Sequence, residues 1–500
     1  MSPTTINDIV REVLTSRVYD VAVKSPLENA QKLSKKHGFH VYLKREDMQP
    51  VHSFKLRGAY NKMSRLAVTE KQCGVITASA GNHAQGVALA AQKLGVSALI
   101  VMPRTTPNIK VEAVKHYGAE VVLSGDNYSE AAKECSRLTK QTRRTFIHPF
   151  DDPLVMAGQG TIGQEIIEQL PDVTHIFVPV GGGGLIAGIA HYVKAVRPDV
   201  TIVGVEPVDS AAMTKSLAKG RRVTLNHVGI FADGVAVKQV GLHTFATAQR
   251  LVDDCITVTT DQICAAIKDT FEATRSIVEP SGALGLAGLL TYTLPKNAHA
   301  VAICSGANVS FERLQQIAER TLLGSGREAL VSVALPERPG AFQDFCDQIV
   351  GKRSITEFSY RYRSRESAHV LAGISVRDAD DKMNLLKHMT KTGFTHTDLS
   401  DDDIAKEHVR HMIGGSGPGD AEQLYHVEFP ERPGALGEFL RIIGTEWNVS
   451  LFHYRSTASD VGKVLIGFEA ENRLQLEQKL AETGFVYEWV NKNLALSIFS

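Results

Sequence analysis

Four short motifs carry residue types able to do chemistry. In His52-Ser53-Phe54-Lys55 a lysine opens a helical pattern (LRGAYNKM) after an extended Lys-Arg-Glu-Asp stretch. The free N–H groups and positive field of a helix N-terminus disfavour an ammonium, so Lys55 would be a nucleophilic amine able to form a Schiff base. An exposed first-turn lysine is the plainer alternative. Ser79-Ala80-Gly81-Asn82-His83 lies between an apolar strand and a helix. Its small residues admit close backbone approach of a ligand, and Asn82 either offers a donor and an acceptor to a carboxylate or phenolate, or caps the helix. Gly181, Gly182, Gly183 and Gly184 follow the strand THIFVPV and open the helix LIAGIAHYVKAV. N–H groups converging there suit a phosphate; the alternative is a linker, and the lysine of a P-loop is missing. Ser305, in Cys304-Ser305-Gly306-Ala307-Asn308, ends an apolar strand, where its hydroxyl suits a ring nitrogen or simply belongs to a turn.

The glycines also admit a rival. Gly182, Gly184 and Ala187 spell GxGxxA after a strand, and Glu206 ends the next strand 19 residues beyond Ala187. That spacing matches a dinucleotide fingerprint with Glu206 on a ribose hydroxyl, which would make the chain an NAD-dependent oxidoreductase. It leaves the Lys55 and Asn82 motifs without a role.

These motifs need elements to hold them. From about residue 74 to 205, short β-branched runs alternate with helical patterns, which predicts βαβ units, a mainly parallel sheet with helices on both faces, and ligands at the strand C-termini. The pattern resumes through AVAICSGAN and a helix near 311–323, and Gly324-Ser325-Gly326 is a plausible boundary. Beyond it the chain repeats itself. LVSVALPERPGAFQDFC at 330–346 is echoed by LYHVEFPERPGALGEFL at 424–440, and the pairs Pro336/Pro430, Gly340/Gly434, Tyr360/Tyr454 and Gly373/Gly467 all stand 94 residues apart. A constant offset of this length is a duplication, and each copy reads as βαββαβ, with GGSGPGD at 414–420 between them.

Composition excludes several partners. At 500 residues the chain should hold about three structural units, by the usual ~150 residues per domain. Lys+Arg and Asp+Glu both number 55, so no net charge marks a nucleic-acid or anionic-membrane surface. The six Cys show no CxxC and no Cys/His cluster, which indicates reduced core thiols and no structural metal. The start lacks a basic segment followed by an apolar one, and no stretch of eighteen apolar residues occurs, so a cytoplasmic location is expected.

Taken in order, HSFKLRGAY, ASAGNHAQG, VPVGGGGL and CSGAN resemble the pyridoxal-phosphate enzymes of the tryptophan-synthase β-subunit fold type. Together with the duplicated tail, they make the chain similar to the biosynthetic threonine dehydratases (threonine ammonia-lyases) over nearly its whole length. The resemblance implies an α/β fold with a two-lobed catalytic domain at 1–325, its smaller lobe near 48–154. Two ferredoxin-like, ACT-like regulatory domains follow at 326–413 and 414–500. It implies Lys55 as the residue that binds pyridoxal phosphate and moves the substrate α-proton, with Phe54 beside the ring. Asn82 would bond the phenolic oxygen, Gly181 to Gly184 with Leu185 the phosphate, and Ser305 the pyridine nitrogen. Ser79, Ala80, Gly81 and Asn82 would clasp the substrate carboxylate.

The implied reaction converts L-threonine to 2-oxobutanoate and ammonia as the first committed step of isoleucine biosynthesis. L-serine is expected as a side substrate, since one methyl is worth only about 1–3 kcal/mol of discrimination. Related serine racemases carry a second serine where this chain has Ala80, which disfavours racemisation. They also hold a divalent cation through acids after a Gly-Val-Glu-Pro stretch; here Glu206 is followed by Ser210 and Ala212, so no metal requirement is expected. In this family the paired tail senses isoleucine as inhibitor and valine as antagonist, and the enzyme is a homotetramer. Tyr360 and Tyr454 are candidate effector contacts, with sheet packing as the alternative, while Arg338 and Arg432 are most simply part of a solvated face.

Overall fold

The computed structural model of the chain describes residues 6–324, 327–336, 344–351, 353, 355–362, 367–407, 422–430, 438–439, 442–443, 446–455, 461–494 and 496. The chain divides into two compact units, Met1–Phe311 and Glu312–Ser500. Of the expected boundary Gly324-Ser325-Gly326, Ser325 and Gly326 lie outside the described residues.

The first unit holds two sheets. One contains β1 (Leu27–Asn29), β2 (His40–Arg45), β7 (His175–Pro179), β8 (Thr201–Pro207), β9 (Asp254–Val258) and β10 (His299–Cys304), in the order β1-β2-β10-β7-β8-β9. All its pairs are parallel except β1 with β2. The chain leaves this sheet after β2 and returns at β7. In between it builds a smaller parallel sheet from β3 (Val75–Ala78), β4 (Ala98–Met102), β5 (Glu120–Leu123) and β6 (Thr145–Phe146), in the order β5-β4-β3-β6. The runs VITA and ALIVM are buried at every position, as strands covered by helices on both faces must be. Two long helices, Pro153–Gln169 and Gly184–Val196, cross at glycines: a Cβ on Gly188 would stand 2.1 Å from the Met156 carbonyl oxygen, so only glycine permits the approach.

The second unit holds two four-stranded antiparallel sheets. The first comprises β11 (Glu328–Pro336), β12 (Ile355–Tyr362), β13 (Ser367–Ser375) and β14 (His396–Asp398), ordered β12-β13-β11-β14. The second comprises β15 (Glu422–Pro430), β16 (Asn448–Arg455), β17 (Val461–Glu469) and β18 (Val486–Trp489), ordered β16-β17-β15-β18. Both have the ferredoxin-like order, and the duplication extends to detail. The register irregularity at Ile355/Glu357 recurs 94 residues on at Val449/Leu451. The helix caps Asp378 and Asn472, each accepting from the backbone N–H three residues on, share that offset. The offset then falls to 91, because the helix Ala379–Lys391 has 13 residues and its counterpart Arg473–Glu482 has 10. Removing nearly one 3.6-residue turn keeps the buried face in phase.

The copies meet along an apolar seam of Leu330, Leu371, Leu399 and Ala405 from one and Leu424, Leu465, Val490 and Leu496 from the other. These are the same four positions of each copy, at offsets of 94, 94, 91 and 91. Asn493 donates to Asp402 (3.1 Å), which is likewise its own counterpart. A patch that packs on its own equivalent is the signature of two-fold-related packing.

One expectation changes and another falls outside the described residues. Cys135, Cys264 and Cys304 are buried, but Cys73 is exposed at the end of a helix and is no core thiol. Tyr360 and Tyr454 lie on β12 and β16 opposite Val370 and Val464, but their side chains, like Arg338 and Arg432 entirely, lie outside the described residues. Among the described residues, no helix is long and apolar enough to cross a membrane.

Candidate active site

Three of the motifs follow C-termini of parallel strands in the two sheets: 79–82 after β3, 181–184 after β7 and 305–308 after β10. The fourth is tied to the last of them. Phe54 N–H donates to Ser305 O (3.2 Å), Ala307 N–H donates to His52 O (2.9 Å), and Ser53 bridges Gly306. His52 adopts φ 52°, a left-handed conformation uncommon for a side-chain-bearing residue, and turns the chain into the helix Lys55–Ser64. Lys55 and Ser305 are thus held by one backbone clamp.

Lys55 is the first residue of its helix and partly buried, not a free surface lysine. Its Nζ donates to Pro149 O (3.0 Å) and stands 5.3 Å from the Phe54 ring centroid. Burial pushes its pKa down to about 8, with Glu279 pulling the other way. His83, whose Nε2 lies 2.9 Å from Ile147 O, is pushed down to about 3 by burial and by Lys55, so it stays neutral beside the amine.

Asn82 does not cap its helix: the cap position is Gly81, and Asn82 is the first helical residue. Its carboxamide instead donates from Nδ2 to Glu279 Oε1 (2.6 Å) and accepts at Oδ1 from Asn308 Nδ2 (2.6 Å). A Cβ on Gly81 would meet nothing within 4 Å, so the loop borders open space at Gly81, while the Gly81 N–H donates to Ser79 Oγ (3.2 Å) and the Ser79 N–H to Val101 O (3.1 Å).

The glycine run is packed from beneath and is no linker. Cβ atoms on Gly181, Gly182, Gly183 and Gly184 would fall 2.8, 2.2, 2.8 and 2.9 Å from Val235, the Phe150 ring, Met213 and Thr244, and Phe150 backbone respectively. Gly183, at φ 94°, opens the helix Gly184–Val196. Among the described residues, no hydrogen bond leaves the backbone N–H of Gly181, Gly182, Gly183, Gly184 or Leu185. These are unspent donors at a helix N-terminus, the arrangement that suits a phosphate. Thr244 Oγ and Gly241 N–H hold Gly182 O, and Asp151 caps the helix carrying Thr244 by accepting from Leu242, His243 and Thr244 N–H. Ser305, 3 % exposed, donates to Ser281 O (3.2 Å) and can turn that proton toward a ligand.

Beneath Lys55 lies a charge cluster that the motif reading did not anticipate. Arg57 donates bidentately to Glu46 (2.8 Å each) and to Glu165 (2.6 Å), and Lys44 donates to Glu165 (2.6 Å). All four side chains are completely buried. Ser25, Tyr19 and Gln49 complete the carboxylates' bonding. With two positive and two negative charges the cluster is neutral, the condition for burying ions at all. Glu279 was also missed: an acid before a proline reads as the start of a helix, which it is, but its carboxylate is buried at the motif residues.

The oxidoreductase reading fails here. Glu206 is fully buried; Oε1 accepts from Met213 N–H, and Oε2 accepts from Thr214 N–H and Oγ, which leaves nothing for a ribose. Among the described residues, no group of three or more His, Cys, Asp or Glu is placed to hold a metal ion.

Residues 18–306 match the family described as pyridoxal-phosphate dependent enzyme, and residues 319–409 and 414–499 match the C-terminal regulatory domain of threonine dehydratase. The chain is 49% identical over 499 residues to L-threonine dehydratase biosynthetic IlvA of Haemophilus influenzae, covering 99% of this chain and 97% of that one. Identity to its Escherichia coli namesake is 47%, covering 98% and 97%. Among solved structures, the processed form of threonine deaminase isoform 2 from Solanum lycopersicum superposes with a TM-score of 0.61 at 50% identity, over 64% of this chain and 95% of that one. Maize serine racemase gives 0.59 at 34%, over 63% and 97%. The donor set fits the cofactor of this group: an amine of lowered pKa for the carbonyl, unspent N–H groups for the phosphate, and a hydroxyl for the ring nitrogen. The chain belongs to the biosynthetic threonine dehydratases, pyridoxal-phosphate-dependent lyases that carry a C-terminal regulatory region.

Proposed function

We propose that this chain converts L-threonine to 2-oxobutanoate and ammonia, with L-serine as a side substrate, at the site formed by Lys55, Asn82, Gly181–Leu185 and Ser305. The observation that carries the reading is the lysine. Its amine is depressed to about 8 and lies on the same backbone clamp as Ser305. Pyridoxal phosphate, when bound, supplies an electron sink conjugated to the substrate α-carbon. The chain's own residues do the rest. Lys55 would hold the cofactor through its carbonyl and, as a free base, take the substrate α-proton. Gly181–Leu185 hold the phosphate through N–H groups, Ser305 donates to the ring nitrogen, and a neutral serine limits that sink to elimination, since it cannot hold the nitrogen as a cation. Phe54 stands beside the ring. Ser79, Ala80, Gly81 and Asn82 would clasp the substrate carboxylate, a role supported by the open space at Gly81. Lys55→Ala should abolish both the yellow absorption and threonine turnover; turnover retained by the purified variant would rule Lys55 out as the base.

The C-terminal copies, 326–413 and 414–500, are the effector modules, with isoleucine as inhibitor and valine opposing it. This makes the chain an end-product-regulated first step of isoleucine biosynthesis, working as a cytoplasmic homotetramer without a divalent metal. Binding linkage is reciprocal, so a saturating substrate analogue must weaken isoleucine binding. Equal isoleucine affinity by calorimetry with and without the analogue would refute coupling through binding.

A further inference from the structure

We propose that Glu279 is a positioning residue which, with Asn308, locks the Asn82 carboxamide so that an N–H, and not the carbonyl oxygen, faces the cofactor's phenolic oxygen. The inference rests on the assignment of Asn82 to that oxygen made above.

A carboxamide is nearly symmetric in shape, and a half-turn exchanges its donor for its acceptor. Offered to a phenolate, the wrong face would set two oxygens against each other. Whichever way Asn82 points must therefore be enforced by its neighbours, and both ends of its hydrogen-bond chain are acceptor-only groups. At one end is the Glu279 carboxylate. It receives Asn82 Nδ2 (2.6 Å) and Ser281 Oγ (2.9 Å) on Oε1 and Asn308 N–H (3.1 Å) on Oε2, three donors converging on a group that only accepts. At the other end is the Val51 carbonyl, which receives Asn308 Nδ2 (2.9 Å). That bond fixes the Asn308 amide, whose Nδ2 also donates to Asn82 Oδ1 (2.6 Å). With an acceptor at each end, the relay has one self-consistent direction. It leaves Asn82 with one unspent Nδ2 hydrogen.

Space agrees with this role. Gly306 makes the contact possible: a Cβ there would stand 2.6 Å from Glu279 Oε1 and 3.2 Å from Asn82 Nδ2. Val51 belongs to the segment clamped to the 305–308 loop, so the relay that orients Asn82 and the clamp that places Lys55 share one support. The charged groups acting on Glu279 are Asp233, Lys110 and, from across the site, Lys55; burial and Asp233 raise its proton affinity, while the hydrogen bonds from Asn82 and Ser281 and the Lys110 charge favour the carboxylate that the relay requires.

The test is the absorption spectrum of the cofactor-loaded protein, read beside turnover. Glu279→Gln keeps the shape but puts an amide where an acceptor-only group stood. Asn308→Ala removes the other lock and leaves the charge at 279 in place. Both should raise the share of the near-ultraviolet form, in which the phenolic oxygen keeps its proton, by about fivefold, the weight of one hydrogen bond. Loss of an oriented donor should also lower kcat/KM by about a hundredfold. Sign separates this from plain electrostatics: removing a nearby negative charge without disturbing Asn82 would stabilise the phenolate and strengthen the visible band. A visible band unchanged or strengthened in Glu279→Gln, together with an unchanged one in Asn308→Ala, overturns the proposal. If Glu279→Gln fails to fold, Asn308→Ala alone decides. Asn82→Ala is the reference. If it too leaves the spectrum unchanged, the assignment of Asn82 to the phenolic oxygen falls, and the proposal with it; if it alone shifts the spectrum, only the proposal falls.

Discussion

At the root of the Lys55 helix four charged side chains are packed with no exposure at all, whereas the seam between the C-terminal copies is eight apolar side chains drawn from the same four positions of each. The two interiors meet different demands. Hydrogen bonds and ion pairs are directional, so Arg57, engaged with Glu46 on one side and Glu165 and Thr161 on the other, fixes the helix two residues after Lys55. Apolar burial has no preferred direction, and a seam that must only join two copies of one fold can be built from it twice over. Buried ions are weak evidence for stability but expensive to break, which exposes the contrast to experiment. Arg57→Met should destabilise the N-terminal unit by about 3–5 kcal/mol, because Glu46 and Glu165 lose their shared partner inside the protein. Adding Glu46→Gln should recover part of that loss, since one orphaned charge disappears. Urea unfolding followed by the cofactor's visible absorption reports this unit; a single variant within ~1 kcal/mol of wild type would mean that water or rearrangement compensates the cluster.

The seam predicts a different pattern. Leu330→Ala and Leu424→Ala delete the same position from opposite sides of one interface, so each should cost about 2–5 kcal/mol and the two should agree within ~1 kcal/mol. Both tryptophans, Trp447 and Trp489, lie in the second copy, so their fluorescence follows the C-terminal unit while visible absorption follows the N-terminal one. Both variants should lower the fluorescence transition alone. Markedly unequal losses would show that the packing is less symmetric than its residues.

How much of this was legible in the sequence depends on the kind of interaction. Strand and helix alternation was readable because apolar runs such as ALIVM are buried on both faces, and the duplication because it preserves even the irregularity at Ile355/Glu357 and Val449/Leu451. The three-residue shortening of the second helix lay beyond the last matched pair, Gly373/Gly467, where no motif marked it. The motifs holding Lys55, Asn82, the glycines and Ser305 stood out through local context, and the structure sets three of them after strand C-termini with the Lys55 segment clamped to the last. Glu279 and the Lys44–Glu46–Arg57–Glu165 cluster did not stand out. Their partners are scattered along the chain, 121 positions apart for Lys44 and Glu165, and a charged residue read singly belongs on the surface. Cys73 fails in the reverse sense: cysteine is usually buried, yet this one ends an exposed helix.

The same contrast bears on proton affinity. An amine adds to a carbonyl only when unprotonated, so with Lys55 in its proposed role the rate at which the cofactor-free protein takes up pyridoxal phosphate should follow the free-amine fraction of that lysine. With its pKa near 8, that fraction rises about tenfold between pH 7 and 9 and then levels off; an ordinary lysine would gain about a hundredfold over the same range and keep rising. Burial lowers the value and the Glu279 carboxylate partly restores it, so the sign of a second change is determined. Glu279→Gln removes the opposing charge and should move the midpoint below that of wild type. Appearance of visible absorption after mixing measures both. A midpoint that moves upward instead would mean that the Gln amide relieves the burial of Lys55 by more than the carboxylate had contributed, and that the lysine's low proton affinity comes from the relay residues as well as from the apolar packing around it.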